Sequence, residues 1–471
     1  MAESTRCIAI IGAGFCGTVT AINLLRQPHV ESLRILLIDH KEHARGTAYA
    51  ARPQHYLLNV PAGRMSASSA EPRDFLNYAQ KSMPGATAED FLPRALYGEY
   101  LEYTLLAAER SAPAHVTLER VRGAVCSLDL WRPSHTFILG FQNGHEMTAT
   151  EVVLALGNPP PAELRSAAGL RESTRLVQDP WSQQATLRPN ETVLIVGTGL
   201  TMADVVVSAM QGGRCPAQVH AISRHGLVPP HQTAFRHAHS QFDPLPLLQA
   251  ASFSMRRLFH LVRRICHEAE QHGGDWREAI TFVRTLVPLL WSRLPVQERK
   301  RFLRHVRAYW DIHRHRLPPS TRVAIDELRG SRRLMVHAGR ILQLEPEANQ
   351  VRVTWQPRGQ DRPATLHVDR VINCTGPDYR CRSSHDPFIH DLLHKGLIQP
   401  DALDIGLRVA PTGGVLNMTG RPTRGLHYVG PMLRAVHWEA TAVQELREHA
   451  ERLARRLALP AVGRAVAHRM A

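Results

Sequence analysis

The chain has 471 residues, 44% hydrophobic and 21% charged, a globular composition long enough for two or three domains. Its formal net charge of +15 is carried by arginine, since Lys41, Lys81, Lys300 and Lys395 are the only lysines; mixed with acids along helical patterns, this excess reads as a solvated surface inclined towards anionic ligands, with RNA left open and no DNA expected. Seven cysteines without a C-x-x-C exclude a disulfide framework and a dithiol reductase, and with no apolar run near the ~20 residues that span a bilayer and no room for a signal peptide, the expectation is a cytoplasmic protein.

Residues 8–11 (IAII) read as a buried strand that runs into Gly12-Ala13-Gly14-Phe15-Cys16-Gly17, and a helical pattern follows over 18–25. Strand, glycine turn and helix start are what a dinucleotide pyrophosphate needs. Gly12 permits the tight turn, Gly14 lets the backbone approach the phosphates, and Gly17 lets the helix pack on its strand. The N–H groups and dipole of the helix start favour the anion. A second apolar run, 35–38, closes on Asp39, an acid placed for the ribose hydroxyls.

Residues 45–49 (RGTAY) form a loop. In 55–65, HYLLNVPAGRM, a strand-like run ends at Asn59, and Pro61 and Gly63 force a turn. Asn59 lies over a ligand face or bonds its own backbone in the turn, and spacing alone favours the turn. Helical patterns follow at 75–81 and 97–110, then strands at 116–125 and 136–141. A buried strand at 152–156 ends at Gly157, and the proline run after it reads as a domain exit.

The same grammar then repeats. Strand 192–196 meets Gly197-Thr198-Gly199, and a helix runs from Leu200 to about 209. Met202 holds the third glycine position, so helix–strand contact is looser there or shifts to Ala203; Asp204 reads as a structural acid. The next strand, 218–222, ends in Ser223-Arg224. A hydroxyl and a guanidinium suit a ribose 2′-phosphate that an acid would repel, so the second nucleotide is expected to be NADPH. Residues 233–319 break the rhythm with helices at 255–271, 276–291 and 298–315, rich in Arg and His. They form a basic pocket for an anionic substrate or a solvated surface. His313 and His315, two apart, cannot share a helix face, and no metal site is expected. A meander at 334–336, 339–344 and 351–355 leads to a buried strand, 368–374, ending in Thr375-Gly376-Pro377. A short strand, 426–429, ends at Gly430-Pro431, and an amphipathic helix covers 438–457.

At this point the motifs GAGFCG (12–17), GTAY (46–49), LLNVPAGRMS (57–66), FLPRALYGEYL (91–101), GTGLTMAD (197–204), SRHGLVP (223–229), INCTGP (372–377) and YVGPMLRAVHWEATAVQELR (428–447) stand together. The chain resembles the two-dinucleotide-binding-domain flavoproteins of the flavin-containing monooxygenase superfamily, and within it the bacterial FAD/NAD(P)-binding protein family. The resemblance implies an α/β fold of two Rossmann-like domains with β-meanders and a helical insertion in the second. It divides the chain into an FAD domain (1–162 and 346–471), an NADPH domain (163–232 and 321–345) and the insertion (233–320).

By the same resemblance Gly12, Gly14, Phe15, Cys16, Gly17 and Asp39 hold FAD, and Met65, Gly157 and Gly376 line the cofactors. Gly430, Pro431 and the start of a helix at Trp438 approach the flavin ring. Pro431 stands where many relatives carry an aspartate. Gly197, Gly199, Leu200, Ser223 and Arg224 take NADPH. Asn59 matches an asparagine that faces flavin and NADP and supports the oxygenated intermediate, which turns its reading from structural to catalytic. The F-x-G-x-x-x-H fingerprint is absent; residues 170–182 read LRESTRLVQDPWS. The implied activity is NADPH-consuming N-, S- or C-oxygenation of a small molecule, acidic or amino-acid-like, through a flavin hydroperoxide, with molecular oxygen as co-substrate. Two other classes stay open: an FAD/NAD(P)H reductase or dehydrogenase without oxygen insertion, and a flavin-bound redox sensor or RNA-binding protein. The oligomeric state is not legible.

Overall fold

Continuous apolar runs become strands covered on both faces. Ile8, Ala9, Ile10, Ile35, Leu36 and Leu37 are all fully buried, and their strands Arg6–Ile11 and Leu33–Asp39 pair in parallel. The structure, a computed structural model, describes residues 6–41, 44–50, 54–211, 216–233 and 242–459. Residues 234–241 of the expected insertion and the residues before the first strand lie outside these.

The chain forms two units. The first takes the described residues of Met1–Gln54, Val60–Asn158 and Tyr379–Ala471. Its six-stranded sheet runs in the order Gly414–Leu416, Pro422–Tyr428, Glu151–Leu154, Arg6–Ile11, Leu33–Asp39, Val116–Arg122, parallel except for the first pair. The helix Phe15–Arg26 follows the central strand. A separate antiparallel sheet holds Val125–Trp131, Thr136–Phe141 and Glu146–Ala149. Phe137, Leu139 and Phe141 alternate inward there, as a meander with one covered face requires.

The second unit takes His55–Asn59 and Pro159–Asp378. Its seven-stranded sheet runs Ala364–Val368, Val351–Pro357, Leu334–Pro346, Gln218–Ser223, Thr192–Val196, Arg370–Asn373, Leu176–Val177. The helix Leu200–Gln211 follows the strand Thr192–Val196. An all-helical insertion comprises Leu245–Ala251, Met255–Gln271, Trp276–Arg293, Val296–Arg301 and Arg307–Arg314.

Four expectations are corrected. The return to the first unit comes at Tyr379 and not at 346, because three strands after that point bond into the second sheet. The meander pieces at 334–336 and 339–344 are one strand; Gly339 continues it because a Cβ there would meet Gln356 O at 2.5 Å and the Trp355 ring at 2.6 Å. The helix expected over 298–315 is interrupted by a π turn, Phe302–Val306, where Phe302 is buried edge-on against Trp291. The last helix starts at Val443, not at Trp438, because Ala442 is extended and caps it.

Candidate nucleotide-binding sites

In the first unit three glycine turns leave the carboxyl ends of three adjacent parallel strands: Gly12, Gly157 and Gly430. This is where open α/β sheets bind ligands. Gly12 has φ +105°, and its N–H donates to Ile38 O at 2.8 Å. A Cβ on Gly12 would lie 2.3 Å from Ala155 O, and one on Gly17 would lie 1.9 Å from Gly12 O. Neither position accepts a side chain without backbone movement. Gly14 begins the helix with no side-chain cap, and no acid stands in the first turn. The initial N–H groups are therefore open to an anion. Asp39 accepts from Ala13 N–H at 2.8 Å and Lys41 N–H at 2.9 Å, one per oxygen, which leaves lone pairs for sugar hydroxyls. A dinucleotide fits these features.

Phe15 and Cys16 face inward. Phe15 stacks on Tyr97 at 6.3 Å, and burial pushes the Cys16 thiol up to about 12, so it stays protonated and unreactive. What these two offer a ligand is backbone.

The second unit repeats the turn. Gly197 has φ +112° and donates to Ile222 O at 2.8 Å, and a Cβ on it would meet Cys374 O at 2.4 Å. Gly376 follows Cys374 by two residues, as Gly157 follows Ala155. Around Gly199, where Leu200 opens the helix, a Cβ would meet nothing within 4 Å. Met202, in the place of Gly17, is fully buried. In the place of Asp39, Ser223 shares a 2.8 Å hydrogen bond with Thr198 Oγ1 and accepts from Gly226 N–H at 3.0 Å.

Arg224 is exposed and has no ion-pair partner among the described residues. Beside it Arg358 Nη1 donates to His225 Nδ1 at 2.9 Å, so His225 is neutral with its proton on Nε2. The His225 ring lies 5.4 Å from Tyr309. Burial and then the charges of Arg358 and Arg224 hold His225 below the usual histidine range. Two guanidiniums and an imidazole thus gather at the end of the strand Gln218–Ser223.

Asn59 belongs to the second unit with the rest of His55–Asn59. His55 Nε2 lies 2.9 Å from Ser208 Oγ on the helix after the second turn, and Tyr56 packs 6.3 Å from Trp181. Asn59 is half-buried, and its side chain makes no hydrogen bond to any described residue. The self-bonded turn asparagine is not what the structure contains.

Met65 is 1% exposed in the first unit, after the turn Ala62–Arg64. Gly430 has φ +147°, and the Tyr428 hydroxyl, which accepts from Met432 N–H at 3.0 Å, fills the space where a Cβ would point. Pro431 opens the short helix Pro431–Ala435 and is buried. Trp438 is buried under the Arg434 guanidinium, 4.1 Å from its ring centre.

Three features escaped sequence reasoning. Gly46 (φ +54°) sits against the first turn, where its Cβ would be 2.8 Å from Gly14 Cα; the glycine in RGTAY was the signal. Arg358 lies far along the chain and reaches the second turn only through the meander. Arg447 is buried and donates to Ser66 O at 3.0 Å, behind Met65, which helical spacing alone could not show.

The FAD-NAD(P)-binding family model matches residues 9–159. No curated protein matches the chain. Among solved structures, the chain is similar to the FAD-bound cadaverine monooxygenase DfoA of Erwinia amylovora, at 14% identity and TM-score 0.63, covering 96% of this chain and 94% of that one. It is similar to the ornithine N-hydroxylase KtzI of Kutzneria sp. 744, solved with reduced FAD, NADP+ and L-ornithine, at 16% identity and TM-score 0.61, covering 99% and 100%. The L-lysine 6-monooxygenase of Pseudomonas syringae gives 16% identity and TM-score 0.62, covering 97% and 100%. These likenesses run the length of the chain, and the expected mixed α/β fold with parallel sheets is the fold of this protein.

Proposed function

We propose that the chain is an FAD-dependent, NADPH-consuming monooxygenase acting on a small amine or amino-acid-like molecule. The observation that carries this is the doubled turn: an acid, Asp39, ends the first and Ser223-Arg224 ends the second, in a chain whose fold matches amine and amino-acid hydroxylases from end to end. A bound flavin supplies hydride acceptance from NADPH and activation of oxygen. The chain binds, orients and shields. The open N–H groups at Gly14 and after it hold the first pyrophosphate, and Asp39 takes the ribose. Gly197 and Gly199 admit the second nucleotide. Arg224 and Arg358 hold its 2′-phosphate, as paired guanidiniums suit a dianion. Asn59 offers its amide to whatever lies against it. Cys7, Cys16, Cys126, Cys266 and Cys374 are free thiols, which suits a reducing cytoplasm, and no described helix is long and apolar enough to cross a membrane.

The test is NADPH oxidation by the purified, flavin-loaded protein with ornithine, lysine and cadaverine under ¹⁸O₂, read by mass spectrometry. One labelled oxygen in product per NADPH consumed is expected. Turnover that persists without oxygen, with an added electron acceptor and no labelled product, contradicts the proposal and returns the reductase reading.

A further inference from the structure

The proposed chemistry leaves the helical insertion unused, yet it carries about half of the chain's net charge: residues 242–318 hold 14 Arg and Lys against 7 Asp and Glu. A groove of about 560 Å³ lies between Leu245–Ala251 with its following turn and the helix Met255–Gln271. One wall presents Pro246, Gln249, Ala250 and Phe253; the other presents Arg257, His260, Leu261 and Arg264. Both walls repeat at i, i+3, i+4, i+7; on Met255–Gln271 this is one helix face over two turns, and on the other wall Phe253 extends the face from the turn that follows Leu245–Ala251. Phe253 is 70% exposed although it is a large aromatic side chain. Arg257 has no ion-pair partner among the described residues, and Arg264 has only an exposed contact to Glu268 at 3.4 Å.

We infer that this groove receives an acidic amphipathic helix of a partner protein. Two walls with heptad-like spacing accept the apolar stripe of a third helix over Ala250, Phe253 and Leu261. Arg257 and Arg264, seven residues apart on one wall, then meet carboxylates one heptad apart on the incoming helix. Charge excludes the nearer alternatives. A second copy pairing through the same groove would bring the same basic face, and residues 459–471 of the chain itself carry two arginines and no acid. A lipid surface is flat, whereas the arginines here line a hollow. The inference is independent of the oxygenation chemistry.

The probe is a fluorescein-labelled helical peptide of about four turns with leucines at i, i+3, i+4 and i+7 and glutamates on both flanks, read by anisotropy on the full chain. Saturable binding is expected, weakened about tenfold or more in the double variant Arg257→Gln/Arg264→Gln and in Phe253→Asp, and lost by a lysine-flanked twin. These positions are at the surface, so unchanged circular dichroism and NADPH oxidation verify that the variants fold. No binding to the wild type, or equal binding to wild type and variants, overturns the inference. So does co-sedimentation of the protein with phosphatidylcholine/phosphatidylglycerol vesicles through the same arginines.

Discussion

Gly17 and Met202 stand five residues after the first glycine of two copies of one turn, and they obey opposite rules. At Gly17 a single methyl would sit 1.9 Å from Gly12 O. At Met202 a whole side chain is fully buried among Val193, Ile195 and Cys374. The turns before them agree closely: φ +105° against +112°, and each first N–H donates at 2.8 Å to the neighbouring strand. The helix hydrogen bonds Thr18 N–H to Gly14 O at 2.9 Å and Ala203 N–H to Gly199 O at 3.2 Å correspond as well. The turn is thus set by its first glycine. The third position decides only how far the helix stands from its strand, by contact in one unit and by filled space in the other.

The comparison breaks most visibly by exchange. Gly17→Ala forces backbone apart and is expected to cost about 3 kcal/mol or more, with loss of bound flavin. Met202→Ala empties a filled site and is expected to cost about 2–4 kcal/mol while flavin is retained. Denaturant unfolding together with the flavin spectrum distinguishes them, and flavin loss in both would mean that the two turns are not separate sites.

The next difference is chemical. Ser223→Asp makes the second turn like the first, and the new carboxylate faces the proposed 2′-phosphate. The ratio of kcat/KM for NADPH over NADH is expected to fall on the order of 10–100-fold; an unchanged ratio places the phosphate elsewhere. A smaller effect is expected at Asn59. Asn59→Ala should leave NADPH oxidation nearly intact and lower product formed per NADPH on the order of tenfold. Fully coupled turnover in that variant would return the residue to a structural role.

Acid sensitivity is expected in both units. Burial, then the neighbouring His337, holds His220 at about 4, and burial, then His437 and Arg452, holds His449 at about 3, both from an ordinary 6.5. The unfolded chain binds these protons first, so stability is full above about pH 6.5 and is lost as pH falls towards those values. Thermal midpoints between pH 7 and 4 should decline, and His220→Asn or His449→Asn should flatten the decline. An identical slope in the variants removes these histidines from the account.

The turns were legible because their physics is local. A covered strand, a positive φ and a close backbone approach leave no choice but glycine within six residues. The ends of elements were less legible. Trp438 reads as helical by periodicity, but extended Ala442 delays the helix to Val443. The π turn at Phe302–Val306 buries an aromatic ring against Trp291, a tertiary reason that periodicity does not carry. The gap read at 337–338 lies inside one strand, Leu334–Pro346, in which Gly339 makes a close contact with Gln356 and Trp355. Arg358 was beyond reach because its partner His225 is 133 residues away and only strand order brings them together.

The most direct test of the account is the coenzyme preference of the flavin-loaded wild type beside Arg224→Gln/Arg358→Gln. The account predicts NADPH favoured over NADH by about tenfold or more in kcat/KM, a ratio near one in the double variant, and the same flavin content in both. NADH favoured in the wild type, or flavin lost with the two arginines, would contradict it.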